Sequence, residues 1–219
     1  MGNNGLTITL IIVIMTSIIS YQAFSNMAMK QKLIFHPVSI KERGEYYRFL
    51  TSGFLHGDFG HLLINMYVLY IFGEYVELSF MRPDIFGPTM GRILFVLLYF
   101  GAVVVSSIPT YFKHQNNNYY MALGASGGTS AMVFAFIIFN PWGWFLFPPL
   151  PGILMAVGFL FYSSYMDKKG ADNIGHNAHF TGAIYGFVFV MVMFALMAPD
   201  QLSLFARRLL AGPTMPNFF

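Results

Sequence analysis

Residues 6–24, "LTITLIIVIMTSIISYQAF", run without a charge for long enough to predict a helix that crosses a bilayer. Five further runs of this kind follow, at about 59–79, 93–112, 127–139, 150–166 and 178–198. The third is expected to be interrupted late by Pro109, and the fourth is stopped by the "NP" at Asn140 and Pro141. Connections are short except for residues 25–58, which mix charges with "YYRFLTSGFLH" and predict an interfacial, partly buried structure rather than a free linker. The tail after residue 198, with "DQLSLFARRLLAGPTMPNFF", reads as a short amphipathic segment on a lipid surface. The pattern predicts one domain over residues 1–219, an all-α integral membrane bundle of six helices without internal repeats. Its first span is expected to be retained, because "MGNNG" lacks the basic start of a secretory signal, and the myristoylation pattern fails at Leu6.

Composition supports the membrane reading: 56% of the 219 residues are hydrophobic and only 10% charged, with a mean hydropathy of +0.59. The absence of cysteine excludes disulfides, a thiolate nucleophile and Cys-based metal sites, which leaves an oxygen nucleophile for any covalent chemistry. A net charge of +3 does not point to nucleic acid, because Lys and Arg are scattered among the loops. Anionic lipid headgroups are the simpler partner.

Two of the runs depart from plain apolar sequence. The second, "HLLINMYVLYIFGEYVE", carries His61, Asn65, Glu74 and Glu77, and such groups normally face the interior of a helix bundle. The fourth opens with "GASGG", a serine flanked by glycines. Residues 127–140 make a helix of roughly 21 Å against a hydrocarbon core of roughly 30 Å, so this segment cannot span alone. Its start is then submerged, and non-helical backbone at that depth must be buried in protein or line a water-filled cavity. A helix start also offers unpaired N–H groups and a positive dipole end to a developing oxyanion. Gly124, Gly127 and Gly128 permit close approach, and on this segment alone helix packing and nucleophilic chemistry are equally open for Ser126. The hydrolase elbow G-x-S-x-G is excluded, because a polar loop rather than a strand precedes the serine.

A serine nucleophile needs a base. His179 opens the sixth run and is followed at helical spacing by Gly182 and Gly186, a small-residue stripe that can lie against another glycine-rich helix start. His176, one turn earlier, is a competing base. His36 and His114 read as solvated loop residues, and His56 as a satisfied loop histidine that could also line the cavity. Asp172 belongs to the loop before the sixth run, so no orienting carboxylate is evident and a dyad is expected. His61 and Asn65, four residues apart on one helix face, supply two donors suited to an oxyanion, or else a hydrogen-bonded pair between helices.

Together, "GASGG", "AHFTGAIYG", "HLLIN" and "EYYRFLTSGFLH" closely resemble the rhomboid family of intramembrane serine proteases, from the first span to the sixth. The resemblance implies Ser126 as nucleophile, His179 as base, and His61 with Asn65 as oxyanion donors. It implies a structural role for "YYR" ending at Arg48, where Tyr47 replaces the family's usual tryptophan, and for Glu77. It further implies cleavage of single-spanning membrane proteins near or within the membrane, with neither metal nor nucleotide cofactor. One departure is Ser130, where some rhomboids place an aromatic that packs on the histidine. Another concerns orientation: the family resemblance implies a multi-pass protein of a cell (inner) membrane with a cytoplasmic amino terminus and an outward-opening site, and charge counting disagrees. Charge counting puts Arg82, Arg92, Arg207 and Arg208 inside, against Lys30, Lys32, Lys41, Arg43, Arg48, Lys113, Lys168 and Lys169 outside. Setting aside the embedded first loop leaves Lys113, Lys168 and Lys169 outside, which restores the family orientation.

The leading expectation is therefore a serine endopeptidase acting on membrane helices. A catalytically silent rhomboid-like protein that binds unstable helices is the alternative. A channel using His61, Asn65 and Glu74 as a polar path is a third class, disfavoured by the lack of a repeat. Oligomeric state is not encoded in any motif.

Overall fold

The computed structural model describes residues 6–145, 150–169 and 176–213. Helix α1 (Ile8–Ser25) begins where the Thr7 hydroxyl accepts from the Leu10 N–H at 3.2 Å. Its first turn is also held from outside. Glu77, 1% exposed, accepts from the backbone N–H groups of Ile8 and Thr9, each at 2.8 Å, and from the Thr9 hydroxyl at 2.7 Å. A carboxylate at a helix start both fills orphan donors and matches the dipole.

The first loop is folded rather than free. Helices α2 (Met27–Leu33), α3 (Pro37–Arg43) and α4 (Arg48–Thr51) are joined by tight turns, with a single turn of tighter helix at Ser52–Phe54. Arg48 is buried and donates from Nη1 to the carbonyls of Gln31 at 2.8 Å and Ile34 at 2.7 Å, while its Nε reaches Glu45 at 2.5 Å. That one guanidinium gathers three parts of the loop, which accounts for the ordered structure predicted for residues 25–58.

Helix α5 (Phe59–Val68), capped by Asp58 on the His61 N–H at 2.8 Å, passes through a wide π-helical turn at Leu69–Gly73 into α6 (Glu74–Phe80). The three form one apolar span, Phe59–Phe80. Helix α7 (Pro88–His114) is longer than the sequence pattern implied and runs straight through Pro109 rather than being interrupted there. In the preceding turn, the hydroxyls of Ser106 and Ser107 donate to the Val103 carbonyl, and α7 packs against both α8 and α10.

Helix α8 (Ser126–Phe139) has 14 residues and ends at Asn140, as expected. A short antiparallel pair, β1 (Trp144–Phe145) with β2 (Leu150–Pro151), leads into α9 (Gly152–Lys169), and α10 (His176–Met197) and α11 (Pro199–Ala211) complete the described chain. Helix α8 sits at the centre, packed by α5, α6, α7, α9 and α10. Residues buried around it include Leu98, Tyr99 and Phe194, which pack in one core with its own buried Met132. By contrast, Ile184, Val188, Val192 and Leu196 form an exposed apolar stripe along α10, which is stable only against lipid. Among the described residues, four helices are long and apolar enough to cross a membrane, and α8 is a shorter apolar one. The protein is an all-α integral membrane bundle.

Candidate active site

The start of α8 is held by the first loop. The Gly124 N–H donates to the Ser52 carbonyl at 3.0 Å, and Phe35 and Ala122 exchange backbone hydrogen bonds at 3.0 Å. The Ala125 N–H, the last before Ser126, donates to His56 Nε2 at 3.4 Å. Backbone ahead of α8 is thereby paired although it lies within the fold.

Gly124 has φ +130°, a conformation that disfavours any L side chain. Its missing Cβ is used. A Cβ there would stand 3.1 Å from Cε1 and 3.3 Å from Nε2 of His61, and 3.8 Å from the Ser126 Oγ. The imidazole of His61 and the hydroxyl of Ser126 thus border the same small space, which a side chain at position 124 would fill. Ser126 is half-buried. One turn on, the Thr129 hydroxyl donates to Asn65 Oδ1 at 3.1 Å, and Asn65 Nδ2 donates to the His61 carbonyl at 2.9 Å. Asn65 is therefore an interhelical link between α5 and α8, and its second Nδ2 hydrogen remains available to a ligand.

His179 approaches from α10. Three residues later, a Cβ on Gly182 would overlap the Gly127 backbone, lying 2.8 Å from both its Cα and its carbonyl carbon and closer still to its oxygen. At the next step of the stripe, a Cβ on Gly186 would lie 2.5 Å from the Ala131 carbonyl oxygen. Helices α8 and α10 therefore touch backbone to backbone, as the glycine spacing predicted. His179 lies one turn of α10 before that contact, and Ser126 is adjacent to Gly127 along α8. His179 is half-buried. Gly127 is tight on its other side too, because a Cβ would overlap the Ser106 side chain of α7.

The remaining histidines divide differently from expectation. His56 is 1% exposed, with Nδ1 2.9 Å from the Ser20 Oγ and its ring edge-on to His61 at a centroid separation of 5.0 Å. The Ser20 hydroxyl donates to the Phe54 carbonyl at 2.8 Å, so its oxygen accepts from His56 Nδ1–H. Nε2 is then bare and accepts from Ala125. Burial, then the neighbouring His61 ring, push the His56 pKa down to about 3, against a smaller upward pull from Asp58. His56 is a satisfied histidine, but its partner is the backbone beside Ser126, and sequence spacing alone did not reveal that. His36 is not merely solvated: its Nδ1 lies 2.7 Å from the Ser39 Oγ at the start of α3, and its Nε2 3.2 Å from the Asn118 carbonyl. His114 stacks on Tyr120 at 3.7 Å. Asp172 lies outside the described residues, and of His176 only its place at the start of α10 is described. Among the described residues, no group of three His, Asp or Glu side chains could hold a metal ion.

The Rhomboid domain family matches residues 43–196, which runs from the first loop through nearly all of α10. The chain belongs to the rhomboid family. It is 31% identical over 163 residues to Rhomboid-related protein 1 of Caenorhabditis elegans, covering 70% of this chain and 41% of that one. It is 25% identical over 150 residues to RHOMBOID-like protein 12, mitochondrial, of Arabidopsis thaliana, covering 64% and 44%. A third relative is YdcA of Bacillus subtilis (strain 168), whose name assigns it provisionally as a rhomboid protease; the identity is 27% over 156 residues, covering 66% of each. The chain spans less than half the length of the first two relatives and just under two thirds of the third. All three names place these relatives among the rhomboids, and the fold described above is the protease-like fold of that family.

Proposed function

We propose that this rhomboid is an intramembrane serine endopeptidase using a Ser126–His179 dyad. The observation that carries the reading is the backbone contact of Gly182 with Gly127, which sets the helix bearing His179 against the helix start bearing Ser126. In the reaction, His179 takes the Ser126 hydroxyl proton as Oγ attacks a peptide carbonyl. The oxyanion receives hydrogen bonds from His61, from the spare Nδ2–H of Asn65 and from backbone N–H groups at the start of α8. His179 then passes its proton to the leaving amine, and an acyl-enzyme forms. Water, deprotonated by His179, attacks that ester and restores the serine.

The substrate class follows from depth. A transmembrane helix hides its carbonyls in its own hydrogen bonds and must unwind locally before attack, so the proposed substrates are single-spanning membrane proteins with helix-destabilising residues near the scissile bond; the rhomboid resemblance adds a small residue before that bond. The proposed setting is a cell membrane, with the amino terminus cytoplasmic and the site opening outward.

The test is purified protein in proteoliposomes with a membrane-helix substrate and a fluorophosphonate probe. Ser126→Ala and His179→Ala are expected to abolish cleavage, and Ser126→Ala to abolish labelling. Full cleavage by either variant refutes the dyad. A folded wild type inert to the probe would instead favour the silent helix-binding reading.

A further inference from the structure

Helix α11 lies beyond the matched family region, which ends at residue 196, and it does not simply rest on a lipid surface. Leu202 and Phe205 pack against the central core, Phe205 with its ring 6.3 Å from that of Phe187 in α10. Two polar contacts then join its far end to the end of α8. Arg208 Nη1 donates to the carbonyl of Phe139, the last residue of α8, at 2.6 Å. In return, Trp142 Nε1, just past α8, donates to the carbonyl of Leu209, in the last turn of α11, at 3.1 Å.

Each bond fills a carbonyl that a helix end leaves without an internal partner, and the guanidinium also matches the negative end of the α8 dipole. Helix α8 is too short to be positioned by anchors at both membrane surfaces. Its other end is the start that carries Ser126, and a helix of this length moves as a rod. Whatever holds Phe139 therefore helps to set the depth of Ser126 against α10.

We propose that Arg208 and Trp142 are positioning residues, a clasp by which the C-terminal helix fixes α8 and so the alignment of Ser126 with His179. This rests on the protease reading for its functional consequence, while the clasp itself can be tested without it. The chain has no native cysteine, so spin labels at Asn140→Cys and Ser203→Cys, both exposed positions, report the seating of α11 on α8 directly. Arg208→Met is expected to broaden that distance distribution. It should also lower the rate of fluorophosphonate labelling of Ser126 and kcat about tenfold or more, as misalignment of reacting groups does, with KM nearly unchanged. Arg208→Lys, which keeps one donor and the charge, is expected to recover most of both. Trp142→Phe should act in the same direction, and the double variant should lose less than the two single losses combined. An unchanged distance distribution in Arg208→Met refutes the clasp. A broadened distribution with wild-type labelling refutes its role in positioning, and so does a loss of labelling that only tracks the fraction unfolded. A wild type that the probe does not label, with a narrow distribution that broadens in Arg208→Met, refutes the protease reading and with it the functional role of the clasp.

Discussion

Replacing Gly182 with alanine adds one methyl at the contact on which the dyad depends. Its Cβ would stand 2.8 Å from the Cα and carbonyl carbon of Gly127, where carbon atoms settle at about 3.5–4.0 Å. Neither obstacle is a flexible side chain, so the backbones of α8 and α10 must part by about 1 Å at this level. Overpacking of this kind costs about 1–3 kcal/mol, which leaves a folded population. The larger effect falls on alignment, because a shift of about 1 Å between reacting groups costs on the order of a hundredfold in rate. The assay is the second-order rate of fluorophosphonate labelling, alongside cleavage of a membrane-helix substrate, with the unfolding midpoint measured on the same samples. Gly158→Ala in α9 is the matched control, since a Cβ there meets nothing within 4 Å, and it should label like wild type. A folded Gly182→Ala protein labelled at more than half the wild-type rate would sink the claim that this contact aligns the dyad.

Glu77→Ala removes the acceptor of two backbone N–H groups and one hydroxyl at the start of α1 and should cost about 3 kcal/mol, read as a lower unfolding midpoint in detergent. The surviving folded protein should label normally, because Glu77 lies roughly 24 Å along its helix from His61. His56 supplies the pH dependence. With its folded pKa lowered to about 3 from 6.5, the unfolded state binds the extra proton, so its contribution is fully present above about pH 6.5 and is lost as pH falls toward 3. Acid unfolding of wild type and His56→Gln should therefore differ, with a shallower slope in the variant across that window; equal slopes would contradict the assignment of a neutral His56 bound to Ala125.

The membrane class, the short α8 and the glycine stripe of α10 were all legible in sequence, because each rests on a local property. Charge-free length sets whether a helix can cross lipid, and a fixed period of small residues sets which face can approach another backbone. Helix limits were less legible. The sequence pattern ended the third span at residue 112 and interrupted it at Pro109, whereas α7 extends over Pro88–His114; packing against α8 and α10 favours a continuous helix, and that is not encoded in the segment itself.

Residue type made Ser126, His179, His61 and Asn65 candidates, the rhomboid resemblance joined them into one set, and spacing put the first two beside glycines. What folding decided was pairing across distance. His56 and Ala125 are separated by 69 positions, as are Phe139 and Arg208, and no periodicity within either segment encodes such a contact. Local sequence determines the helix and the face it offers; which faces meet, and which orphan backbone groups each end finds as partners, follows only from burying all of them at once.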